Sequence, residues 1–383
     1  MALSLALFSV SSFTPRAAAR WRATRGASAW MSSVPAEASV ALAERSSSPE
    51  PKLFTALRKE TSQRWPGGSH MVSGAQQGRL LHMLVGLSRA SRVLELGCFS
   101  GYAALWMALA LPAGGSLLSL ERDKAAAEVA RRHLDAAGVG ERVEIREGDA
   151  YESLCALPPT EPPFELIFLD ADKKRSWQYF ELVMSRGLLA PHGLLLVDNV
   201  LWKGEVLARL DLKTLTSQSD AAASLDGPAR RSMALRDALH SFSTRLAADS
   251  RAHQLMLPLR DGLTWAQPTA GLDMHIGADA SCSSALEAAA AAEPLPAYLR
   301  LVGGSEPNAI VALRDRTPPA QPAGLQQGRL LHMLVRIARA SRVLELAPTD
   351  GEGAALQQLS GYAALWMALA LPAGGSLLSL ERD

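Results

Sequence analysis

The stretch FELIFLDADK, residues 164–173, decides the fold, because an apolar run of strand length ends abruptly in acidic residues. A second run, GLLLVDN at residues 193–199, ends in the same way. Short apolar runs alternate with helical patterns through the middle of the chain, which predicts a parallel, doubly wound α/β sheet. Ligands of such sheets bind outside the carboxyl ends of the strands. The two runs therefore predict that Asp170, Asp198 and Asn199 lie together.

The predicted strand ends supply three oxygen donors, namely the carboxylates of Asp170 and Asp198 and the amide of Asn199. Hard oxygen donors with room for water or substrate suit Mg²⁺, with Ca²⁺ or Mn²⁺ as alternatives, rather than zinc. The competing interpretation is structural: the two carboxylates cap helices and Asn199 is a turn residue. The pattern predicts a divalent cation at this edge of the sheet.

A glycine loop, GCFSG at residues 97–101, follows the predicted strand RVLEL at residues 92–96. Glycine directly after a buried strand lets the backbone approach a ligand where a Cβ would clash. The glycines are not spaced as in the GxGxxG motif of dinucleotide sites, so pyrophosphate binding is disfavoured. Glu121 ends the next strand, where an acid can accept hydrogen bonds from ribose hydroxyls. With the downstream acids, the loop favours S-adenosylmethionine; the alternative is a tight turn with a solvated Glu121.

The composition excludes several classes of protein. The chain is 48% hydrophobic and 20% charged, as globular proteins are. A net charge of +1 gives no electrostatic reason to expect nucleic acid or an anionic membrane as a partner. No apolar run approaches the roughly 20 residues that span a bilayer. The three cysteines lack CxxC spacing, so neither a disulfide framework nor a zinc site is predicted, and a reducing compartment fits best.

The composition also divides the chain into segments. Residues 1–36 contain four arginines and no acid, which is typical of a cleaved transit peptide for a mitochondrion or plastid. A disordered tail on a cytoplasmic protein is the alternative. Residues 37–52 are predicted to be a linker, and residues 53–268 to form the α/β domain. Residues 269–322, with an alanine run and several prolines, are predicted to be a low-complexity linker.

The C-terminal segment, residues 323–383, is a truncated repeat of residues 73–123. One block copies Gly78–Leu96 with three differences, and another copies Ser100–Asp123 without any. The copy has Ala347 where a glycine should follow its strand, and it stops before any counterpart of the strand-end acids. We predict that it is non-catalytic and that removing it leaves activity intact. Its strands could in principle compete with the originals for their place in the sheet.

Residues 53–268 resemble the cation-dependent class I O-methyltransferases of the caffeoyl-CoA and catechol O-methyltransferase type. The resemblance implies a Rossmann-like class I methyltransferase fold with a mostly parallel seven-stranded sheet. An Asp-Gly pair between two apolar runs independently predicts an antiparallel hairpin at its edge. The matching motifs, in family order, are Gln77-Gly78, Glu95-Leu96-Gly97, Ser100-Gly101-Tyr102, Leu109-Ala110-Leu111-Pro112, Arg146-Glu147-Gly148, Asp170-Ala171-Asp172-Lys173, Asp198-Asn199, Leu201-Trp202, Leu246-Ala247-Ala248-Asp249, Leu257-Pro258-Leu259 and Asp261-Gly262.

The resemblance assigns roles to individual residues. The catalytic residues that it implies are Lys173, as general base, and Asp170; the alternative for Lys173 is a surface lysine. The cation ligands that it implies are Asp170, Asp198 and Asn199. Asp172 can also be an N-cap, a role that can coexist with cofactor contact, and Cys98 is predicted to be a packing residue beside the cofactor rather than a nucleophile. The implied S-adenosylmethionine-binding residues are Ser73, Glu95, Gly97, Cys98, Glu121, Ala150, Asp170 and Asp172.

The expected activity is methyl transfer from S-adenosylmethionine to a hydroxyl of a catechol-like small molecule. Three positions depart from the plant-type pattern: Ala103 and Ser243 replace a serine and an asparagine, and Lys203 replaces an asparagine that contacts acyl-CoA substrates. The last departure argues against caffeoyl-CoA as the acceptor. A homodimer is expected by resemblance only. The alternatives are an S-adenosylmethionine-binding pseudo-enzyme or regulatory subunit, and a dinucleotide oxidoreductase.

Overall fold

A computed structural model describes residues 36–210, 227–269, 322–346, Met367 and 376–380. All of the predicted targeting peptide except Ala36 lies outside these ranges, as does nearly all of the predicted linker at 269–322. The chain divides into two compact units, Met1–Pro49 and Glu50–Asp383. In the described part of the first unit, helix α1 spans Ala36–Arg45. Every helix of the described residues is too short or too polar to cross a membrane.

The segment predicted to be a linker, residues 37–52, is largely helical. Helix α1 occupies Ala36–Arg45, and the next helix begins at Lys52. The sequence of α1, AEASVALAER, consists largely of alanine, glutamate, leucine and arginine, which have high helix propensity. The prolines that suggested a linker stand at positions 35, 49 and 51, outside the helix. Proline there limits the helix rather than breaking it.

The second unit alternates strands with helices. The helices are α2 Lys52–Arg64, α3 Ala75–Ser88, α4 Tyr102–Ala110, α5 Lys124–Ala136, α6 Ala150–Cys155, α7 Ser176–Ser185 and α8 Gly227–Ala247. The strands are β1 Arg92–Leu96, β2 Ser116–Glu121, β3 Val143–Glu147, β4 Phe164–Leu169, β5 Leu189–Asp198, β6 Ala252–Leu257 and β7 Leu263–Pro268. Short 3-10 helices lie at Ser69–Met71, Gly140–Arg142, Lys173–Arg175 and Glu205–Leu210.

The seven strands form one sheet in the order β3-β2-β1-β4-β5-β7-β6. Strands β1 to β5 pair in parallel, whereas β7 is antiparallel to both β5 and β6. The predicted mostly parallel seven-stranded sheet with an antiparallel edge hairpin is therefore confirmed. Because β1 and β4 are central neighbours and β5 follows, the carboxyl ends of these strands meet at one edge.

Alternation along the strands divides the core into two layers. In β5, Leu194 and Leu196 face one layer, while Leu195 and Val197 face the other. The first layer packs with helices α2 to α5, and the second packs with α6, α7 and α8. Since both faces are covered, most residues of the central strands are apolar, as expected for a parallel sheet.

The C-terminal copy forms helix α9, Pro322–Ile337, and strands β8, Arg342–Leu346, and β9, Ser376–Leu380. Strands β8 and β9 pair with each other in parallel and form a two-stranded sheet of their own. Their register is that of the originals, since Arg342 pairs with Ser376 as Arg92 pairs with Ser116. The copied strands therefore do not displace β1 and β2. Helix α9 lies against β5, β6 and α3.

Candidate active site

A cleft of about 840 Å³ opens at the carboxyl edge of the sheet, beyond the ends of β1, β2, β4 and β5. It brings together residues that are far apart in the sequence. Of the residues to which the resemblance assigns a role, all but Glu95 line it: Ser73, Gly97, Cys98, Glu121, Ala150, Asp170, Asp172, Lys173, Asp198 and Asn199. The predicted cofactor loop and the predicted cation ligands thus share one cavity.

The glycine loop is held tightly between two neighbouring strands. Gly97 has a φ of 93°, and its N–H donates to the carbonyl of Leu120 at 2.9 Å. A Cβ at position 97 would lie 2.7 Å from the backbone oxygen of Asp170. Both the backbone conformation and the space therefore require glycine. The result is a stretch of bare backbone at the floor of the cleft, next to the first strand-end acid.

Glu121 organises this loop as well as lining the cleft. Its Oε2 accepts the N–H groups of Cys98 at 3.0 Å and Phe99 at 2.6 Å, and its Oε1 accepts that of Asp123 at 2.8 Å. A carboxylate that accepts several backbone N–H bonds fixes the conformation of the segments that donate them. The predicted ribose contact would come from the edge of Glu121 that faces the cleft. Its second role, as a brace for the loop, was not visible in the sequence.

Glu95 lies beneath the loop rather than in the cleft. Its side chain is fully buried, and Oε2 accepts the hydroxyl of Ser119 at 2.5 Å. Burial raises the pKa of Glu95 to about 8, so this carboxyl holds its proton at neutral pH. Burial also raises the pKa of the neighbouring Cys98 thiol, which fits packing rather than nucleophilic chemistry. The predicted contact between Glu95 and the cofactor stays a prediction.

The strand-end acids come from adjacent strands, as the sequence predicted. Leu169 of β4 pairs with Val197 of β5, so the residues that follow, Asp170 and Asp198, lie side by side. Burial raises the pKa of Asp170; the charge of Lys173 opposes this shift, and that of Asp198 adds to it. Asn199 follows with a φ of 63°, a left-handed conformation that asparagine tolerates better than most residues.

Neighbouring side chains orient both acids. Lys173 donates its Nζ to Oδ1 of Asp170 and is 9% exposed, so it is not a solvated surface lysine. Gln77 reaches in from helix α3 and donates its Nε2 to Oδ2 of Asp198 at 2.7 Å. Asp172 accepts the N–H of Lys174 at 3.1 Å, so its N-cap role is present while it also lines the cleft.

The donor set fits a divalent cation by its chemistry. It consists of two carboxylates and one amide, all oxygen donors at the ends of adjacent strands, which is the ligand type that Mg²⁺ and Ca²⁺ prefer. In the described residues, no group of three or more His, Cys, Asp and Glu side chains is placed to hold a metal. The neighbouring carboxylates of Asp170 and Asp198 repel each other, and a cation bound there would relieve that repulsion.

The edge hairpin supplies a part of the cleft that was not predicted from the sequence. Arg260 has a φ of 52°, lines the cleft, and donates Nη1 to the carbonyl of Val72 at 3.2 Å. Asp261 accepts the N–H of Lys203 on its side chain and that of Leu201 on its carbonyl, the latter at 2.8 Å. The Asp-Gly signal predicted the turn. Only the pairing of β7 with β5 brings that turn over the cleft.

The three departures from the plant-type pattern lie at different distances from the cleft. Ala103 and Lys203 line it. Lys203 has a φ of 56°, and its ammonium lies 5.7 Å from the ring centroid of Trp202, which also lines the cleft. Ser243 is buried on helix α8, outside the lining. Only the first two can therefore touch a ligand directly.

Comparison with known proteins identifies the family. A family model described as O-methyltransferase matches residues 43–268, more than half of the chain. The chain belongs to the O-methyltransferase family. Within that family it is a class I, S-adenosylmethionine-dependent O-methyltransferase, in agreement with the fold and the glycine loop.

Individual relatives agree with this assignment. Tricin synthase 1 of Oryza sativa subsp. japonica is 36% identical over 221 residues, which cover 56% of this chain and 81% of that protein. A catechol O-methyltransferase of Niastella koreensis is 42% identical over 132 residues, covering 34% and 59% respectively. The crystal structure of the Podospora anserina methyltransferase PaMTH1, bound to SAH, superposes with a TM-score of 0.52 at 28% identity, covering 68% of this chain and 99% of that one.

Proposed function

We propose that this O-methyltransferase depends on a divalent cation and acts on a hydroxyl of a small molecule with a vicinal dihydroxyphenyl group. The observation that carries the proposal is that Asp170, Asp198 and Asn199 line the same cleft as the Gly97 loop and Glu121. The names of the rice tricin synthase and the Niastella catechol O-methyltransferase support a phenolic acceptor. Mg²⁺ is the cation we propose first, with Ca²⁺ and Mn²⁺ as alternatives.

The chemistry requires a phenolate. A phenol has a pKa near 10, so little phenolate exists at neutral pH. A divalent cation held by Asp170, Asp198 and Asn199 would stabilise the anion and fix both catechol oxygens. We propose Lys173, buried beside Asp170, as the group that takes the phenolic proton, which it can do only in its neutral amine form. Gln77 keeps the Asp198 carboxylate in one orientation.

The other end of the cleft would hold the cofactor. The bare backbone at Gly97 admits close approach, and Glu121 would accept the ribose hydroxyls. Because burial raises the pKa of the Cys98 thiol, this residue stays protonated and does not compete with the acceptor for the methyl group. The family resemblance implies an acyl-CoA-binding asparagine at the position of Lys203, so we propose a free catechol rather than an acyl-CoA thioester.

The test is a methyl-transfer assay over catechols, flavonoids and caffeoyl thioesters, with Mg²⁺ and with EDTA. We expect activity on catechols with Mg²⁺ and its loss with EDTA. Asp198→Asn should reduce kcat/KM on the order of 100-fold or more, since it removes a cation ligand. Asp135→Asn, at an exposed position on helix α5, is the matched control and should leave kcat/KM unchanged.

Two outcomes would refute parts of the proposal. Full activity of Asp198→Asn in the presence of EDTA would remove the cation from the mechanism. Calorimetric binding of S-adenosylmethionine without methyl transfer to any acceptor in the panel would favour the pseudo-enzyme alternative.

A further inference from the structure

Helices α3 and α9 have nearly the same sequence but bury different faces. On α3, Met83 is 59% exposed and Leu87 is 40% exposed. Their counterparts on α9 are Met333, which is 3% exposed, and Ile337, which is 2% exposed. The tail copy therefore buries the stripe of side chains that the first copy presents to solvent. This outward stripe of α3, Met83 and Leu87, is called the α3 stripe below.

The surface that α9 covers is an apolar face of the main sheet. Met333 and Ile337 belong to the same core layer as Leu194 and Leu196 of β5, Leu255 of β6 and Trp265 of β7. The rings of His332 on α9 and His253 on β6 are 6.2 Å apart. On this layer, α9 is the helix of the described residues that lies against both β5 and β6. Without it, these large apolar side chains would lose their cover.

We infer that α9 occupies the position that helix α3 of a second copy would otherwise take, and that the tail thereby keeps the chain monomeric. The stripe that fits this sheet face is the α3 stripe, which differs from the buried stripe of α9 only in having Leu87 for Ile337. The sheet face and α3 lie on the same side of the sheet, and α9 touches both. Two copies can therefore exchange their α3 stripes across a two-fold axis.

Covalent attachment decides the competition in favour of α9. Docking of the tail is intramolecular, so its effective concentration exceeds the micromolar concentration of a second copy in solution. The inference depends on packing alone and not on the cation or the acceptor. It also leaves the active-site cleft unchanged, so methyl transfer reports separately whether the domain is folded.

The experiment places the same substitution in each copy of the full-length chain. Met333→Glu buries a charge on the sheet face, which should release α9, because an unpaired buried charge is costly. We expect this variant to lose hydrogen-exchange protection across α9 and to form a dimer by light scattering, with methyl transfer retained. Met83→Glu, at the exposed counterpart, should stay monomeric with α9 protected. The double variant Met83→Glu/Met333→Glu should release α9 and yet remain monomeric.

The result can contradict the inference in several ways. The inference would be overturned if the wild type were dimeric. It would also be overturned if Met333→Glu released α9 but stayed monomeric at every concentration, or if a dimer persisted in the double variant. Met333→Glu with α9 still protected would overturn it as well. If Met333→Glu does not fold, as loss of methyl transfer would show, Ile337→Ala provides the milder test. It should shift part of the protein into dimer, and an unchanged monomer would overturn the inference.

Discussion

The two copies of one sequence in this chain form the same local structures in different surroundings. In both, a helix is followed by two parallel strands with the same register. The original strand β1 is flanked by β2 and β4, whereas β8 pairs, within the described residues, with β9 alone. The original helix buries one stripe and the tail helix buries another. Local sequence thus determines that a helix and two parallel strands form and in which register the strands pair. It does not determine which other elements pack against them.

The site of the original copy also depends on strands that lie outside the duplicated segment. The original glycine loop faces Asp170 and Asp198, which come from strands outside the duplicated segment. The tail has Ala347 where the loop should begin. A cofactor loop needs the strand ends beside it.

The largest effect should come from replacing Gly97 of the first copy with alanine, the residue that follows the corresponding strand in the tail as Ala347. Gly97→Ala places a Cβ 2.7 Å from a backbone oxygen, at a φ of 93°. We expect the Kd for S-adenosylmethionine, measured by calorimetry, to rise on the order of 100-fold from strain and lost backbone approach. Ala347→Gly in the tail is the matched control and should leave binding and activity unchanged. Equal binding by the two variants would show that the glycine is not what distinguishes the copies.

A pH-dependent effect should follow from Glu95→Gln. The pKa of Glu95 rises from 4.5 to about 8 on folding, so the folded chain keeps a proton that the unfolded chain releases. The free energy of unfolding therefore falls between about pH 4.5 and pH 8, and the stability that this group contributes is present in full only below 4.5. Glutamine removes this dependence, and we expect a gain of about 1 kcal/mol or more at pH 8.

The measurement is urea unfolding of wild type and Glu95→Gln at pH 5 and pH 8. The difference between the two proteins should grow with pH. Glu345→Gln, the same change on β8, separates the effect of local sequence from that of burial in the main sheet. Parallel pH profiles for wild type and Glu95→Gln would mean that this carboxyl is ionised in the folded state.

The smallest effect should come from the exchange between Gly86 and its counterpart Arg336. A Cβ at position 86 meets nothing within 4 Å, so Gly86→Arg should stabilise α3 by about 0.5–1 kcal/mol through helix propensity. Arg336→Gly should destabilise α9 by a similar amount. Thermal unfolding and hydrogen exchange of each helix measure the two changes in stability.

In contrast, Gly78→Ala should destabilise the chain, because its Cβ would lie 2.2 Å from Trp106.

The sequence predicted most of the fold because its signals are local. The strands at 92–96 and 164–169 were predicted with the bounds that the structure shows, since each is an apolar run bounded by polar or glycine residues. The helix at 36–45 was missed because the Ser, Ala and Pro content of residues 37–52 was taken to indicate a linker. The sequence predicted two neighbouring parallel strands that end in Asp170 and Asp198, and the structure shows that these strands, β4 and β5, pair in parallel.

By itself, the sequence determined the elements, the register of the repeated strands and the identity of the strand-end acids. These depend on alternation and spacing, which are properties of neighbouring residues. Tertiary structure alone decided that Glu95 lies beneath the loop, that Arg260 reaches the cleft and that Met333 is buried while Met83 is exposed. The physical reason is that burial and pKa depend on what packs against a side chain. Met83 and Met333 make this clear, because they are the same residue at matching positions of two nearly identical helices and differ in their surroundings.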